Sequence, residues 1–489
     1  TTDIGSDMET QIEPHQGLIE QIEAFCRAEG IAESTFGRQV VNDGKFVGRL
    51  RDGKGVTTTT VARVQNYIVS RGGAASADAN GPNGHGDQAS DVETVQPAAK
   101  KEDGAGDVVS GDDGKAAFRF YDNRQKYLMF VNTCSEKWVV ADRAGMELAH
   151  LHPKPPALRV FDAGMGDGTV LTGVMRRMHQ KFRTLPFYIV GKEISLEDVR
   201  LSLEKMSDRF YEHPATVLVV TNLYYTEAPW LTPRSMQAAA TLNWIDVPLA
   251  GDSAHDFHEQ IEALQPTLAE NWRVRSSEKT GNPHYVRPSV MVLYREDHKF
   301  LLDQVIPKPG RAFADYDLVI ASQPYRARTP VEFKARNVLA PLAKSLAPGG
   351  RLLGIHSSGG DPGLEIIRKV WPGEDPFQTN RHDLLKVLKQ ELGRAHRDLN
   401  YNSYADKRAI FRYDMHTLPT EVGAMGRSIG TSTLLAAWNA ATYVAQIEDD
   451  RLENVMSDSA YLDATREILN ERGGLWFNDE SFVISRKRA

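Results

Sequence analysis

The chain has 489 residues and a net charge of −7, with the mixed composition of an ordinary globular protein. This length suits two or three domains with a large core, and the charge gives no global sign of a nucleic-acid or membrane partner. The two cysteines, Cys26 and Cys134, lie far apart, which fits a reducing cytoplasm better than a disulfide scaffold. No apolar run approaches the ~18 residues that a membrane helix needs, so we expect a cytoplasmic protein with no membrane partner.

Residues 13–71 predict a compact helical unit. Leu18, Ile22 and Phe25 recur at helical spacing and form one apolar face. Further short helices are expected to begin near Ser34, near Asp43 and after the threonine run 57–60, because such residues cap helix N-termini.

The order of these helices resembles repressor-type helix-turn-helix domains, in which the third helix enters the major groove of duplex DNA. The resemblance implies a homodimer that binds duplex DNA, with phosphate or base contacts from Lys45, Arg49, Arg51 and Lys54. The unit as a whole is not basic, so a small docking or dimerisation domain stays open as the alternative.

Residues 72–115 contain almost no large apolar side chains and are rich in Gly, Ala, Asp and Ser. Such a segment cannot bury enough apolar surface to fold, so we predict a disordered acidic linker. The remainder, 116–489, alternates strand-like and helical patterns, which predicts an α/β domain with a parallel sheet covered by helices.

Five core strands are predicted in this domain, at 158–164, 186–193, 216–222, 316–322 and 350–358. The segment 474–488 predicts a C-terminal antiparallel hairpin that turns at Asn478 and Asp479. A long insertion, at about 224–311, separates the third and fourth strands, and 271–297 and 298–307 within it are predicted as strands. Insertions over the carboxyl ends of strands commonly form substrate lids, and we expect the same here.

An acidic residue and three glycines alternate with other residues at the end of the first predicted strand and just after it: Asp162, Gly164, Gly166 and Gly168. A strand, a glycine-rich turn and a helix bring backbone N–H groups towards a ligand. The third glycine comes one position too early for the dinucleotide-binding spacing G-x-G-x-x-G. The pattern D-x-G-x-G-x-G instead resembles motif I of class I S-adenosylmethionine-dependent methyltransferases. From this motif alone, a glycine turn without a ligand and a nucleotide loop of another family stay open.

The resemblance implies a Rossmann-like sheet and S-adenosylmethionine as the cofactor, with the glycines close to its methionine part and Asp162 near its ammonium group. Glu193, at the end of the second strand, matches the acidic residue that holds the ribose hydroxyls in this family. Its distance from Asp162 is longer than usual, and an ordinary surface glutamate is the alternative. Asn222, after the third strand, would lie near the adenine.

Ser322, Gln323, Pro324 and Tyr325 follow the fourth strand, where this family carries out its chemistry. They resemble the motif [D/N/S]-P-P-[Y/F] of methyltransferases that act on planar or amide nitrogens, with glutamine in place of the first proline. The resemblance implies that these four residues contact the acceptor amine, and a loop that only lines the pocket is the alternative. Methyl transfer needs alignment more than acid–base help. We therefore expect no metal, and we interpret His356, at a strand end, as structural.

The segment 118–145 precedes motif I, and in this family such a segment often caps the cofactor. Its aromatic residues Tyr121, Tyr127 and Phe130 either stack there or pack in the core. The sequence thus favours a methyltransferase with a small-molecule acceptor. A DNA base methyltransferase, which would need a broad basic cleft around Tyr325, and a transcription regulator that only senses the cofactor are the alternatives.

Overall fold

The computed structural model describes residues 16–41, 43–52, 60, 61, 64, 67, 68, 124–276, 283–312, 314–416 and 429–488. The chain divides into two units, Thr1–Lys101 and Glu102–Ala489. The predicted linker at 72–115 lies outside the described residues and stays a prediction.

The described part of the N-terminal unit is helical, with helices Gln16–Glu29, Glu33–Val41 and Phe46–Arg51, and residues 60, 61, 64, 67 and 68 are helical as well. Its core is formed by apolar side chains from each helix, among them Ile22, Phe36, Leu50 and Val64. The predicted helical unit is therefore confirmed, while its likeness to a helix-turn-helix domain stays a prediction.

The larger unit is built on a mixed sheet. Its strands, and those of a separate small pair, are β1 Leu158–Asp162, β2 Phe187–Lys192, β3 Thr216–Thr221, β4 Asn243–Leu249, β5 Val274–Ser276, β6 Pro283–Tyr285, β7 Ser289–Arg295, β8 Tyr316–Ser322, β9 Leu346–Ser357, β10 Leu399–Asn402, β11 Ile410–Asp414 and β12 Trp476–Arg486. The main sheet has the order β10-β12-β9-β8-β1-β2-β3-β7-β4, with β11 also paired to β12, and β5 and β6 form the separate pair.

Both faces of the sheet are covered, because neighbouring residues of β1 enter different hydrophobic clusters. Val160 packs in one cluster and Phe161 in another, as expected for a strand buried on both sides.

None of the described helices is long and apolar enough to cross a membrane. The helices of this unit are Arg124–Thr133, Glu136–Glu147, Thr169–Lys181, Leu196–Glu204, Ser207–Glu212, Met236–Ala240, Ala254–Glu262, Gln265–Asn271, Val331–Phe333, Ala340–Lys344, Pro362–Val370, Arg381–Leu392, Asp406–Ala409, Thr431–Val444, Asp449–Val455 and Ala460–Arg472, with a π-helical turn at Lys334–Leu339 and 3₁₀ turns at Leu148–His150, Ala228–Trp230, Glu296–His298 and Gly393–His396.

The order of the parallel strands reverses at β1. The chain builds β1, β2 and β3 in one direction, then returns to place β8 and β9 on the other side of β1, all five in parallel. This is the doubly wound arrangement, whose ligands bind outside the carboxyl ends of the strands at the reversal point. The expected Rossmann-like sheet, with antiparallel strands at its C-terminal end, is confirmed.

The predicted C-terminal hairpin is wrong in one respect, since β12 passes through Asn478 and Asp479 without a turn. It pairs antiparallel with β9, β10 and β11. The Asn478 backbone N–H donates to Asp361 Oδ2 at 2.9 Å, and its side-chain amide donates to the carbonyls of Gly359 and Gly360 at 3.2 and 3.1 Å. The polar groups of Asn478, which predict a turn from the sequence alone, therefore form their hydrogen bonds with a neighbouring loop.

The insertion at 224–311 adds strands to the main sheet. The expectation of a substrate lid did not include this pairing. Within it, β7 pairs antiparallel with β3, and β4 pairs parallel with β7. The segment 298–307, predicted as a strand, forms turns instead. The fifth core strand also starts earlier than predicted, because Pro348 and Gly349 lie inside β9 rather than before it.

Candidate functional site

The reversal of strand order places three loops next to one another at the carboxyl ends of β1, β2 and β8. Asp162 ends β1 and pairs with Ile320 of β8, whose own last residue is Ser322. The nearest atom to a Cβ placed on Gly164 would be the Ser322 carbonyl oxygen, at 3.9 Å. Glu193 reaches the same turn, since its Oε2 accepts a hydrogen bond from the Gly166 backbone N–H at 3.0 Å. The predicted acidic, glycine and serine residues therefore meet in one crevice.

Asp162 is buried, with 3% of its surface exposed, and it is not fully hydrogen-bonded. Oδ1 accepts from the Gly164 backbone N–H at 3.2 Å, while Oδ2 has no hydrogen-bond partner among the described residues. Burial and the charge of Glu193 raise the pKa of Asp162 to about 7, while the Gly164 hydrogen bond and the charge of Lys137 oppose the rise. A buried carboxylate with a free oxygen suits a cationic group.

The three glycines of the turn have different surroundings. Gly164 has ample space around its Cβ position, and on Gly166, with φ +53°, an added Cβ would have Tyr127 Oη as its nearest neighbour, at 3.5 Å. A Cβ on Gly168, with φ +77°, would lie only 2.5 Å from Ser202 Oγ. Gly164 and Gly166 thus keep the crevice clear, whereas Gly168 allows the turn to pack against the helix Leu196–Glu204.

Glu193 lies directly after β2 and is held by backbone amides. Its Oε1 accepts from the N–H groups of Ile194 and Ser195, at 2.8 and 2.9 Å. Burial and the nearby charge of Asp198 raise its pKa, while the charge of Lys192 and the backbone hydrogen bonds from Ser195 and Gly166 oppose the rise. The carboxylate connects the end of β2 to the glycine turn, which is the position that the sequence predicts for it.

Asn222 is engaged elsewhere. Both N–H groups of its amide donate to carbonyls of the insertion, those of Asn271 at 3.1 Å and Arg287 at 2.9 Å, and its Oδ1 accepts from the Ser289 N–H at 2.8 Å. These contacts fasten β3 to the insertion. We therefore leave Asn222 out of the proposed cofactor contacts.

The loop 322–325 is fixed by contacts with neighbouring strands and with the insertion. Gln323 has φ +48°, and its side-chain Nε2 donates to Ser357 Oγ at 3.1 Å and to Asp479 Oδ1 at 3.3 Å. The Pro324 carbonyl accepts from Tyr225 Oη at 2.9 Å. Tyr225, which the sequence did not single out, also has its pKa raised by burial and by the charges of Glu193 and Asp162. The insertion therefore contributes a side chain between the cofactor crevice and this loop.

Tyr325 begins a buried chain of hydrogen bonds. Its Oη lies 2.8 Å from His356 Nδ1, and His356 Nε2 lies 2.7 Å from Glu480 Oε1. The Arg381 Nη1 donates to Glu480 Oε2 at 2.6 Å, and the Arg381 backbone N–H donates to Oε1 at 2.7 Å. Each of the four residues is at most 8% exposed. No sequence motif pointed to Glu480 and Arg381, because only the pairing of β12 with β9 brings Glu480 to His356.

The three aromatic residues that the sequence singles out in the segment 118–145 have different surroundings. Phe130 packs in the core beside Tyr413, Tyr443 and Phe477. Tyr127 lies beside the glycine turn, and Tyr121 is outside the described residues. The described part of the chain contains no group of three side chains that could hold a metal ion.

The basic residues predicted to contact DNA lie on and next to the third N-terminal helix. Lys45, Arg49 and Arg51 are exposed, but Arg49 forms an ion pair with Asp43. Arg51 pairs with acidic side chains of the first two helices, Glu23 at 2.5 Å and Glu33 at 2.6 Å. Lys54 lies outside the described residues.

No protein-family model matches the chain, and no curated protein matches it. Among solved structures it is similar to a phosphoethanolamine N-methyltransferase 2 from Haemonchus contortus in complex with S-adenosyl-L-methionine, with 10% identity, a TM-score of 0.26, and coverage of 77% of this chain and 61% of that one. It is also similar to the plantazolicin methyltransferase BpumL in complex with S-adenosylhomocysteine (8%, 0.29, 76% and 91%) and to a methyltransferase from Archaeoglobus fulgidus (10%, 0.25, 72% and 94%). Likenesses this distant carry no argument about function, and the fold assignment depends on the strand order.

Proposed function

We propose that this chain is an S-adenosylmethionine-dependent methyltransferase that acts on a small molecule. The observation that carries the proposal is the free, buried Oδ2 of Asp162, next to a glycine turn whose open side lies at the reversal point of the sheet. The cofactor carries an ammonium group and a sulfonium centre. Its site therefore needs a carboxylate and a backbone that passes close to the ligand, rather than a loop that binds phosphate.

The residues of the crevice fit the cofactor in the roles that the family resemblance implies. Asp162 would hold the ammonium group, the backbone at Gly164 and Gly166 would pass close to the methionine part, and Glu193 would take the ribose hydroxyls. When bound, the cofactor supplies a methyl group on an already activated sulfonium. Gly168 supports the turn through its packing against Ser202.

The surroundings of the loop 322–325 favour a small acceptor over a DNA base. Tyr325 is only 8% exposed, and the carboxylates Asp479 and Glu480 lie within one or two hydrogen bonds of the loop. A duplex with a flipped base needs an open, basic surface around the pocket, because its phosphates are anionic. On this proposal the Ser322 hydroxyl and the backbone of Gln323 orient the acceptor, and the Tyr325 ring packs beside it.

Calorimetry with S-adenosylhomocysteine tests the cofactor assignment. The wild-type chain should bind it, and Gly166→Val should abolish binding, because the branched side chain fills space that the backbone keeps clear. Gly310→Val is the matched control, since Gly310 also has a positive φ, +70°, but stands in the insertion with no atom near its Cβ position. A folded wild-type chain that shows no binding would disprove the proposal.

A second variant tests the ribose assignment. Glu193→Gln should weaken cofactor binding by roughly 1–3 kcal/mol, the usual effect of losing charge-assisted hydrogen bonds. Glu197→Gln, on the exposed face of the following helix, is the control for a change of charge. Equal affinities for the two variants would assign the ribose to another residue.

A further inference from the structure

The backbone of Gln323 has an uncommon conformation. Among the described residues, four that are not glycine have a positive φ, and Gln323, at +48°, is the one that directly follows β8 at the reversal point of the sheet. Side chains disfavour this left-handed region, so the conformation persists only where neighbouring contacts hold it. Proline cannot adopt it, because its ring fixes φ at about −65°. The glutamine that replaces the first proline of the motif therefore allows the loop 322–325 a shape that proline would forbid.

Two sets of contacts hold the loop in this shape. On one side, the Gln323 side-chain amide donates to Ser357 Oγ at 3.1 Å and to Asp479 Oδ1 at 3.3 Å. On the other side, Tyr225 Oη donates to the Pro324 carbonyl at 2.9 Å. The first set comes from β9 and β12, whereas the second comes from the insertion. The loop therefore depends on contacts from two separate parts of the chain.

The Pro324 carbonyl depends on Tyr225. Pro324 is buried, and within the described part of the chain no second group donates a hydrogen bond to its carbonyl. Burial and the charges of Glu193 and Asp162 hold the pKa of Tyr225 above its usual range, so its hydroxyl keeps its proton and acts as the donor. Since a buried carbonyl without a donor is unfavourable, the hydroxyl stabilises the observed path of the chain through Pro324.

Tyr225 itself lies next to the cofactor crevice. The centre of its ring is 4.8 Å from Lys192 Nζ, at the end of β2. The Lys192 carbonyl in turn accepts a hydrogen bond from the Met165 N–H of the glycine turn, at 3.1 Å. These contacts connect the glycine turn, the end of β2 and the loop 322–325 through one side chain of the insertion.

The shape of the loop leaves two of its oxygen atoms free. Among the described residues, none forms a hydrogen bond with the Ser322 hydroxyl or donates one to the Gln323 carbonyl. Ser322 lies beside the glycine turn, since its carbonyl oxygen is 3.9 Å from the Cβ position of Gly164. Free oxygens at this place can orient an acceptor molecule only while the backbone through Gln323 keeps its direction.

We propose that Tyr225 of the insertion is a positioning residue for methyl transfer. By holding the Pro324 carbonyl, it keeps Gln323 in the left-handed conformation. The free oxygens of the loop then stay aligned with the methyl group of the cofactor. Tyr225 forms no bond to the reacting atoms and takes up no proton, because it acts through the backbone of the loop. This inference rests on the proposed methyltransferase function.

The first test measures the loop without any turnover. Hydrogen exchange of the full chain, followed by mass spectrometry, reports the opening of the Gln323 N–H, which donates to the Ile355 carbonyl at 2.9 Å. Tyr225→Phe should speed exchange in the loop by about tenfold and leave exchange in the glycine turn unchanged. Tyr224→Phe is the matched control, because Tyr224 Oη lies 2.8 Å from His284 Nδ1, within the insertion. Loop exchange that is equal in Tyr225→Phe and the wild type would overturn the proposal.

The second test measures catalysis. The acceptor is first identified as the compound, in the small-molecule fraction of a cell extract, that takes up a deuterated methyl group from labelled S-adenosylmethionine. With this acceptor, Tyr225→Phe should lower kcat by about tenfold, while the affinity for S-adenosylhomocysteine stays within about twofold of the wild type. Full kcat in Tyr225→Phe would disprove the positioning role alone, whereas a wild type that does not bind S-adenosylhomocysteine would disprove the proposed function itself.

The third test separates the shape of the loop from other roles of Tyr225. Asparagine adopts the left-handed conformation more readily than glutamine, so the loop in Gln323→Asn should depend less on the tyrosine hydroxyl. The loss of kcat caused by Tyr225→Phe should therefore shrink to about threefold or less in the Gln323→Asn background. An equal loss in both backgrounds would show that Tyr225 does not act through the conformation of Gln323, which would overturn the proposal.

Discussion

At the residue scale, Asp162 combines burial with an incomplete set of hydrogen bonds. Carboxylates are rarely fully buried unless they are paired, because the charged form loses its hydration. Asp162 keeps one oxygen free and has a pKa of about 7, compared with an ordinary value of 3.8. The group therefore changes its charge near neutral pH, which makes it sensitive to any cation that binds beside it.

Cofactor affinity should depend on pH through Asp162. As the pH falls through about 7, the folded chain takes up a proton on this carboxylate, and the cation loses its partner. Affinity for S-adenosylhomocysteine should then fall by up to about tenfold per pH unit below that point. Calorimetry between about pH 5.5 and 7.5 measures this, and binding near pH 6 should release a proton.

Asp162→Asn is the control for this pH dependence, because the amide cannot ionise. Its affinity should be low and nearly independent of pH over the same range. A wild-type affinity that stays constant across the range would show that Asp162 does not contact the ammonium group.

The residues of the cofactor crevice were predictable because they are local. Asp162 ends one strand, Gly164 and Gly166 follow it, and their spacing is visible in five residues. Glu480 gave no such signal, since it lies 124 residues from His356 and meets it only through strand pairing. Sequence patterns report neighbours along the chain, whereas this part of the site depends on neighbours in the sheet.

At the element scale, the glycine turn and the helix Leu196–Glu204 are in close contact. Gly168→Ala would place a Cβ 2.5 Å from Ser202 Oγ and 2.9 Å from its Cα, in a backbone conformation that disfavours side chains. We expect a loss of about 2–4 kcal/mol in the free energy of unfolding, from overpacking and the positive φ together. Denaturant titration measures this loss.

A second substitution distinguishes the two contributions. Adding Ser202→Gly to Gly168→Ala removes the nearest contact of the new methyl group and should recover part of the lost stability. Failure to recover any stability would assign the effect to the positive φ and to the contact with the Cα of residue 202, which glycine keeps.

The third N-terminal helix carries the prediction of DNA binding. If it contacts phosphates, the full chain should bind duplex DNA with an affinity that falls steeply with salt. Arg49→Gln should then weaken binding and reduce the slope of log K against log salt by about 1. Arg27→Gln, an exposed arginine of the first helix, is the matched control. A salt titration that stays flat for the wild type would favour the docking-domain alternative.

Element types were easier to predict than element partners. The five core strands were predicted from their apolar runs and turn signals. The turn expected at Asn478 was wrong, and the pairing of the insertion with the sheet was not predicted, because both depend on distant partners. The side-chain amide of Asn478 donates hydrogen bonds to the loop at Gly359 and Gly360. The insertion joins the sheet because its strand β7 pairs with β3.

At the scale of the whole molecule, the two units have separate hydrophobic cores. The N-terminal cluster contains only residues 18–68, and the other clusters begin at Tyr127. Deleting residues 1–110 should therefore leave a folded chain that unfolds cooperatively and binds S-adenosylhomocysteine with unchanged affinity. Circular dichroism and calorimetry test this. An insoluble or non-binding product would show that the larger unit needs the N-terminal unit in order to fold.

The ends of the main sheet have a consequence for how copies of the chain meet. One outer strand is β4, which exposes Pro248 and Asp246, and the opposite end is formed by β10 and β11, which have only four and five residues. Proline offers no amide donor, an outward carboxylate resists stacking, and a short strand gives a poor template for a foreign one. Intermolecular strand addition, the usual start of amyloid-like aggregation, is therefore disfavoured at both ends of this sheet.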